Sequence, residues 1–178
     1  MFIFLTILTV AISLSLDTFS LSLSYGLFNI SSKDILRISL CVGTFHFIMP
    51  LLGNFCGKII FDYIPMDEKT LIGIIFLTIS FELILSFFKE KEITPIKTMF
   101  DILIFSFTVS IDSFATGTCL NIFKTNNFVV VTVFMLISFL FTYCGLSMGS
   151  FLNNKIGRIA QIIGLILLIS LSIFYLVY

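Results

Sequence analysis

Long apolar segments alternate with short polar ones along the whole chain. A helix needs about 20 consecutive apolar residues to cross a bilayer. Six segments approach or exceed that length, and their apolar runs are continuous rather than alternating, which favours helices over barrel strands. The pattern predicts six transmembrane helices, at about Phe2–Tyr25, Ile35–Phe61, Leu71–Phe88, Met99–Phe123, Phe128–Leu152 and Ile159–Tyr178.

The composition indicates that lipid covers most of the surface. Hydrophobic residues make up 58% of the 178 residues, and charged residues only 11%. A soluble domain has about 25% charged residues. We therefore expect an all-α integral membrane protein with a single membrane domain over residues 1–178, in contact with the lipid bilayer. The net charge of zero gives no electrostatic basis for binding nucleic acid.

The basic residues of the polar connections predict the orientation. Cytoplasmic loops carry an excess of Lys and Arg. Alternate connections carry seven such residues on one side and three on the other, so we expect the side with seven to be cytoplasmic and both termini to lie outside. The seven are Lys33, Arg37, Lys89, Lys91, Lys97, Lys155 and Arg158, and the three are Lys58, Lys69 and Lys124.

The sequence repeats itself. Three short motifs recur in the same order, 91 to 95 residues apart. Each copy holds an odd number of predicted helices, so the copies must enter the membrane from opposite sides. The fold class is therefore expected to be two inverted three-helix repeats, about 1–90 and about 97–178, a plan common in transporters. The matching segments are residues 15–20 with 110–115, 53–57 with 145–149, and 72–77 with 163–168.

An aspartate lies in each copy of the first motif. Asp17 and Asp112 are each about 13 to 15 residues into a predicted helix, which at about 1.5 Å per residue is near the middle of the membrane. A charge there costs about 2.5–3.5 kcal/mol. A bound cation or a shared proton would compensate for it. The alternative is that each Asp is neutral and only holds helices together by hydrogen bonds.

Further polar and small residues surround the aspartates on the predicted helices. Hydroxyl groups can ligate a hard cation or simply bond neighbouring helices, and small residues let helix backbones approach closely. Pro50 removes one helical hydrogen bond and frees a carbonyl group. The hydroxyl candidates are Ser13, Ser20, Thr108 and Thr116, and the structural candidates are Gly43, Pro50, Gly53, Gly57, Gly145 and Gly149.

Three other side chains have open roles. His46 is the only histidine, and it shares a helix face with Gly43, Pro50 and Gly53. It could be a metal ligand, a proton carrier or a buried core residue. Asn54 is one residue beside that face and could reach the same region. Glu82, in the third predicted helix, could be a proton site or could extend to the cytoplasmic surface.

These motifs together resemble those of the bacterial manganese efflux pump family. The resemblance rests on Ser-Leu-Asp-Thr-Phe-Ser at residues 15–20 and its second copy Ser-Ile-Asp-Ser-Phe-Ala, on the Gly43–Gly53 segment and on Gly-Leu-Ser-Met-Gly at 145–149. It covers nearly the whole chain, and the Ser-Tyr-Gly-Leu ending of the first segment also resembles a sporulation-associated branch. The sequence departs from the family at His46, where the resemblance implies a carboxylate or amide.

The resemblance implies an exporter of Mn²⁺ across the cytoplasmic membrane, with Asp17 and Asp112 as metal ligands. Carboxylate, carbonyl and hydroxyl oxygens suit Mn²⁺, Mg²⁺ or Ca²⁺. Protons would exchange for the metal, and no permanently bound cofactor is expected. The alternative is an exporter of small organic cations or amino acids of a related six-helix type. No Ser/His or GxGD arrangement supports an enzyme.

Overall fold

The structure is a computed structural model, and it describes most of the first, second, fourth and fifth predicted helices. The continuous parts are residues 2–28, 30–63, 98–118, 120 and 125–149. Isolated positions are described elsewhere, at residues 70, 73, 74, 77, 81, 84, 96, 162, 166, 169 and 173. The third and sixth predicted helices therefore lie largely outside the described residues.

Helices account for nearly all of the described chain. Three of them are long and apolar enough to cross a membrane, over Phe4–Gly26, Ser32–Ile59 and Asn127–Met148, and a bent pair makes up a fourth candidate span. The described residues thus form a helical structure consistent with a membrane protein, and the first, second and fifth predicted helices are confirmed as candidate spans. The helices are α1 (Phe2–Gly26), α2 (Ser32–Tyr63), α3 (Met99–Val109), α4 (Ile111–Gly117) and α5 (Asn127–Met148).

Polar side chains mark the starts of three of these helices. The Ser31 hydroxyl accepts from the Asp34 backbone N–H at 3.3 Å and donates to its carboxylate at 2.7 Å, at the start of α2. Thr98 and Asp101 form a reciprocal capping box before α3. Asn126 accepts a backbone N–H of α5 at 3.0 Å. These contacts satisfy N–H groups that the first helical turn leaves without partners.

The fourth predicted helix is broken rather than continuous. The pattern predicted one helix over about 99–123, but α3 and α4 meet at Ser110 with a bend of 41°. The Ser110 hydroxyl donates to the Ser106 carbonyl at 2.8 Å, while the Ser110 backbone N–H turns to the Phe107 carbonyl at 3.2 Å. The Ser106 carbonyl thus accepts the hydroxyl group of Ser110 rather than its backbone N–H, a pattern that often accompanies bent helices. The correction matters because the break directly precedes Asp112.

The helices pack in two parallel pairs joined by an antiparallel crossing. On the parallel pair α1 and α5, the rings of Phe19 and Phe141 are 6.0 Å apart. On α2 and the α3–α4 segment, the rings of Phe45 and Phe107 are 6.3 Å apart. Helices α2 and α5 cross at Gly43, where an added Cβ would lie 3.2 Å from the Met135 carbonyl oxygen.

The two parallel pairs are built from equivalent contacts. Glycines of α5 lie against the α1 backbone, and the matching glycines of α2 lie against α4 and the residue after it. Each contact of the first pair has a counterpart in the second. The two glycines of such a couple are 92 residues apart, and the two residues that they contact are 95 residues apart. These are offsets of the sequence repeat. The contacts are Gly145 with Phe19 and Gly53 with Phe114, then Gly149 with Leu23 and Gly57 with Thr118.

The buried apolar residues form two clusters, and several residues of one cluster are separated from residues of the other by the same 92 or 95 positions. One cluster joins α1 to α5, and the other joins the start of α2 to α3. The two cores therefore use matching positions of the repeat. The matching members are Ile7 and Ile102, Val10 and Phe105, Leu14 and Val109, and Phe134 and Val42.

Candidate cation site

Polar side chains occur at the midpoint of every long span. By length, these midpoints lie at residue 15 of α1, residues 45 and 46 of α2, and residues 137 and 138 of α5. Ser15, His46 and Ser138 are all buried. Because these side chains are buried, their polar groups need hydrogen-bond partners within the protein or a ligand.

On the α1 side, Ser15 and Ser138 bring the two helices together. Their hydroxyl oxygens are 3.0 Å apart and fully buried. Asp17 follows Ser15 by two residues and is half-buried. Since Ser138 lies within one helical turn of Met135, Asp17 is close to the level at which α2 and α5 cross.

On the opposite side, the break at Ser110 positions Asp112 in the first turn of α4. The Asp112 carboxylate accepts the Ser113 backbone N–H at 2.7 Å, and the side chain is half-buried. Phe45 contacts Phe107 before the break, and Pro50 contacts Gly117 after it. Asp112 therefore lies at the level of residues 45–50 of α2, which is also near the α2–α5 crossing.

His46 lies in that same interval of α2 and is fully buried. Its Nδ1 is 3.0 Å from the Val42 carbonyl oxygen. A carbonyl can only accept, so Nδ1 carries the hydrogen, and in the neutral ring Nε2 then has a free lone pair. Within the described part of the chain, Nε2 has no hydrogen-bond partner.

The predicted hydroxyl candidates divide into buried and exposed groups. Ser13, Ser20 and Thr116 are buried. Ser13 donates to the Thr9 carbonyl at 2.8 Å, and Thr116 donates to the Asp112 carbonyl at 3.1 Å. These bonds use the hydrogen and leave oxygen lone pairs for a cation. Thr108 is exposed instead. The break at Ser110 lies between it and Asp112, so the two do not continue one helix face.

The remaining predicted site residues are Asn54, which lies away from His46, and Glu82. Asn54 is buried two turns beyond His46, about 12 Å along α2, and its Oδ1 has no partner among the described residues. Glu82 lies outside the described residues. Ser15 and Ser110 had no predicted role of their own. The signal that could have found them is that Ser15 and Ser110 match at the repeat offset.

The site is rich in oxygen but is not a compact cluster of charged ligands. Across the described ranges, no three side chains of His, Cys, Asp or Glu come together in a group that could hold a metal ion. The described residues include two half-buried carboxylates on different helices, and buried hydroxyl groups lie on the same helices. Oxygen ligands of this kind are the ones that Mn²⁺, Mg²⁺ and Ca²⁺ prefer.

Comparison with known proteins identifies the family of the chain. Residues 29–176 match the family described as "Putative manganese efflux pump". The chain belongs to the manganese efflux pump family. A relative in Shouchella clausii (strain KSM-K16), named "Putative manganese efflux pump MntP", is 32% identical over 96% of this chain and 95% of its own length. A relative of the same name in Bacillus mycoides (strain KBAB4) is 30% identical over 96% and 94%.

The family match bears unequally on the two aspartates. It begins at residue 29, so it includes Asp112 but not Asp17. The alignments with the two relatives span 96% of the chain, so they include the positions of both aspartates. The manganese efflux pump family consists of transporters rather than enzymes, in agreement with the sequence prediction. No solved structure matches the chain.

Proposed function

We propose that this protein exports Mn²⁺ from the cytoplasm across the cell membrane. The ion would bind near the midpoint of the membrane, between Asp17 on α1 and Asp112 on α4. The observation that carries this proposal is that equivalent contacts bring both aspartates to the level of the α2–α5 crossing. The names of the relatives supply the identity of the ion.

Electrostatics supports a divalent cation as the substrate. Two ionised carboxylates at this depth carry charges that cost about 2.5–3.5 kcal/mol each in a bilayer. A doubly charged ion between them offsets both charges. The other ligands would be hydroxyl oxygens of Ser20 and Thr116, and the backbone carbonyl of His46. Pro50 has no N–H to donate to that carbonyl, which supports its availability.

The paired contacts also support an inverted repeat as the basis of transport. We infer that the two halves are related by a two-fold axis in the membrane plane, passing near Gly43 and Met135. These two residues contact each other and are 92 residues apart, so each would be the counterpart of the other. Rocking of one parallel helix pair against the other would open the site to each side in turn. Protons on the two carboxylates would replace the metal during the return step.

Transport by the purified protein tests this function. In proteoliposomes loaded with a metal-sensitive dye, we expect Mn²⁺ flux that an outwardly directed proton gradient drives and a protonophore slows. Empty liposomes are the control. Flux of lysine or small organic cations without Mn²⁺ flux would favour the alternative exporter type. If Mn²⁺ flux does not respond to the proton gradient, proton coupling is wrong, but Mn²⁺ export still stands.

The orientation gives a separate prediction. With seven basic residues on one side and three on the other, both termini should lie outside and the Lys89–Lys97 connection should be cytoplasmic. An alkaline phosphatase fused after Tyr178 should be active, and a green fluorescent protein fused there should be dark. Fusions truncated within the Lys89–Lys97 connection should behave in the opposite way. The reverse pattern at both places would overturn the orientation.

A further inference from the structure

The His46 side chain has a feature that helix packing alone does not explain. It is fully buried at the midpoint of α2, and its Nε2 has no hydrogen-bond partner in the described residues. An unsatisfied buried polar atom is destabilising, and a histidine that serves only the core would be expected to bond both nitrogens. Asn54, about 12 Å away along the same helix, is too far to be its partner.

The repeat indicates where the ring is directed. At the offset of 92 residues, His46 is the counterpart of Ser138, and at the offset of 95, Ser110 is the counterpart of Ser15. Ser15 and Ser138 are in direct contact. The equivalent contact would bring the His46 ring towards Ser110, two residues before Asp112. The bracketing contacts at Phe45 and Pro50 agree with this placement.

The bond from Nδ1 to the Val42 carbonyl fixes the chemistry of the other nitrogen. It holds the hydrogen on Nδ1 and leaves a lone pair on Nε2, which is the arrangement that a histidine needs to ligate a metal. Imidazole nitrogen suits first-row transition ions, whereas Mg²⁺ and Ca²⁺ take oxygen ligands.

We propose that His46 Nε2 is a direct ligand of the transported ion and makes the site select first-row transition ions over Mg²⁺ and Ca²⁺. This inference rests on the proposed function of the site. The carboxylates alone attract any divalent cation, so a single nitrogen ligand provides the discrimination that an exporter needs. The ring and the two carboxylates would converge on the ion as it binds.

Pulsed electron paramagnetic resonance of bound Mn²⁺ tests the ligand directly. His46 is the only histidine in the chain, so a protein purified without a histidine tag has one imidazole. We expect modulation from a directly coordinated nitrogen in the wild type, and its loss in His46→Gln and in His46→Asn. The Asn variant can still donate to the Val42 carbonyl. Ser39→Ala, a buried change on the same helix, should keep the modulation.

Selectivity supplies the second measurement. Because His46→Gln puts an amide group near the position of Nε2, we expect Mg²⁺ to compete with Mn²⁺ flux more effectively by on the order of tenfold. A wild-type spectrum of bound Mn²⁺ without nitrogen modulation would overturn the inference, as would unchanged Mg²⁺ competition in both His46 variants. Either result leaves Mn²⁺ export standing, whereas a wild-type protein that neither binds nor moves Mn²⁺ overturns the proposed function itself.

Discussion

Asp17→Asn and Asp112→Asn are each expected to abolish Mn²⁺ export while the protein still inserts and accumulates normally. Asparagine keeps the size and the hydrogen bonding of aspartate but removes its charge. A divalent ion at mid-membrane that loses one of two carboxylates loses about 3 kcal/mol of compensation, which corresponds to a reduction of about 100-fold in binding. The measurement is Mn²⁺ content of cells under Mn²⁺ load, with membrane protein levels determined in parallel.

The same substitution elsewhere provides the control for this experiment. Asp34 lies near the start of α2, where it pairs with Arg37 at 3.2 Å on the surface. Asp34→Asn should leave export unchanged, because a surface ion pair contributes little. The double variant of Asp17 and Asp112 should be no worse than either single variant, since residues that act as a unit are not additive. Wild-type export by a well-expressed double variant would remove the central proposal.

The second large effect concerns the glycines of the parallel crossings. Gly53→Ala is expected to destabilise the protein by at least about 1–3 kcal/mol, the usual range for overpacking. A Cβ at Gly53 would collide with the Phe114 carbonyl oxygen, which belongs to a backbone and cannot rotate away. Its counterpart Gly145→Ala should behave similarly, because its Cβ would lie 2.8 Å from the Phe19 carbonyl oxygen.

Gly43 provides the matched comparison within α2. A Cβ there would lie 3.2 Å from its nearest atoms, which a shift of a few tenths of an ångström would accommodate. Thermal unfolding of each variant in detergent, followed by size-exclusion of the remaining folded fraction, should therefore rank Gly53→Ala and Gly145→Ala well below Gly43→Ala. An equal or higher melting temperature for Gly53→Ala than for Gly43→Ala would show that the close crossing is wrong.

The family and the positions of three helices followed from the sequence, and the fourth predicted helix lies where two helices meet at a bend. Bilayer thickness imposes a long apolar run on every span, and such runs can be read from composition alone. The repeated motif around Asp17 and Asp112 was also visible, because an ionisable residue inside an apolar run is rare enough to stand out. The structure leaves Glu82 and the third and sixth predicted helices as predictions.

Other features depend on three-dimensional contacts that no local pattern encodes. Ser110 ends α3, while its counterpart Ser15 lies in the uninterrupted helix α1. The Ser110 hydroxyl bonds its own backbone, and the Ser15 hydroxyl bonds Ser138 on another helix. Helix periodicity also grouped Thr108 with Asp112, and the break at Ser110 separates them.

The sequence by itself determined which segments are apolar enough to span a membrane, which short motifs recur and which acidic residues lie inside apolar segments. Those properties depend on side-chain chemistry and spacing along one chain. Tertiary structure decided which repeated segments touch: α1 packs on α5, and α2 on α4, so each parallel pair takes one helix from each half. The reason is that close packing is a property of two surfaces. A glycine signals that a backbone can approach, but only the folded chain determines which backbone does.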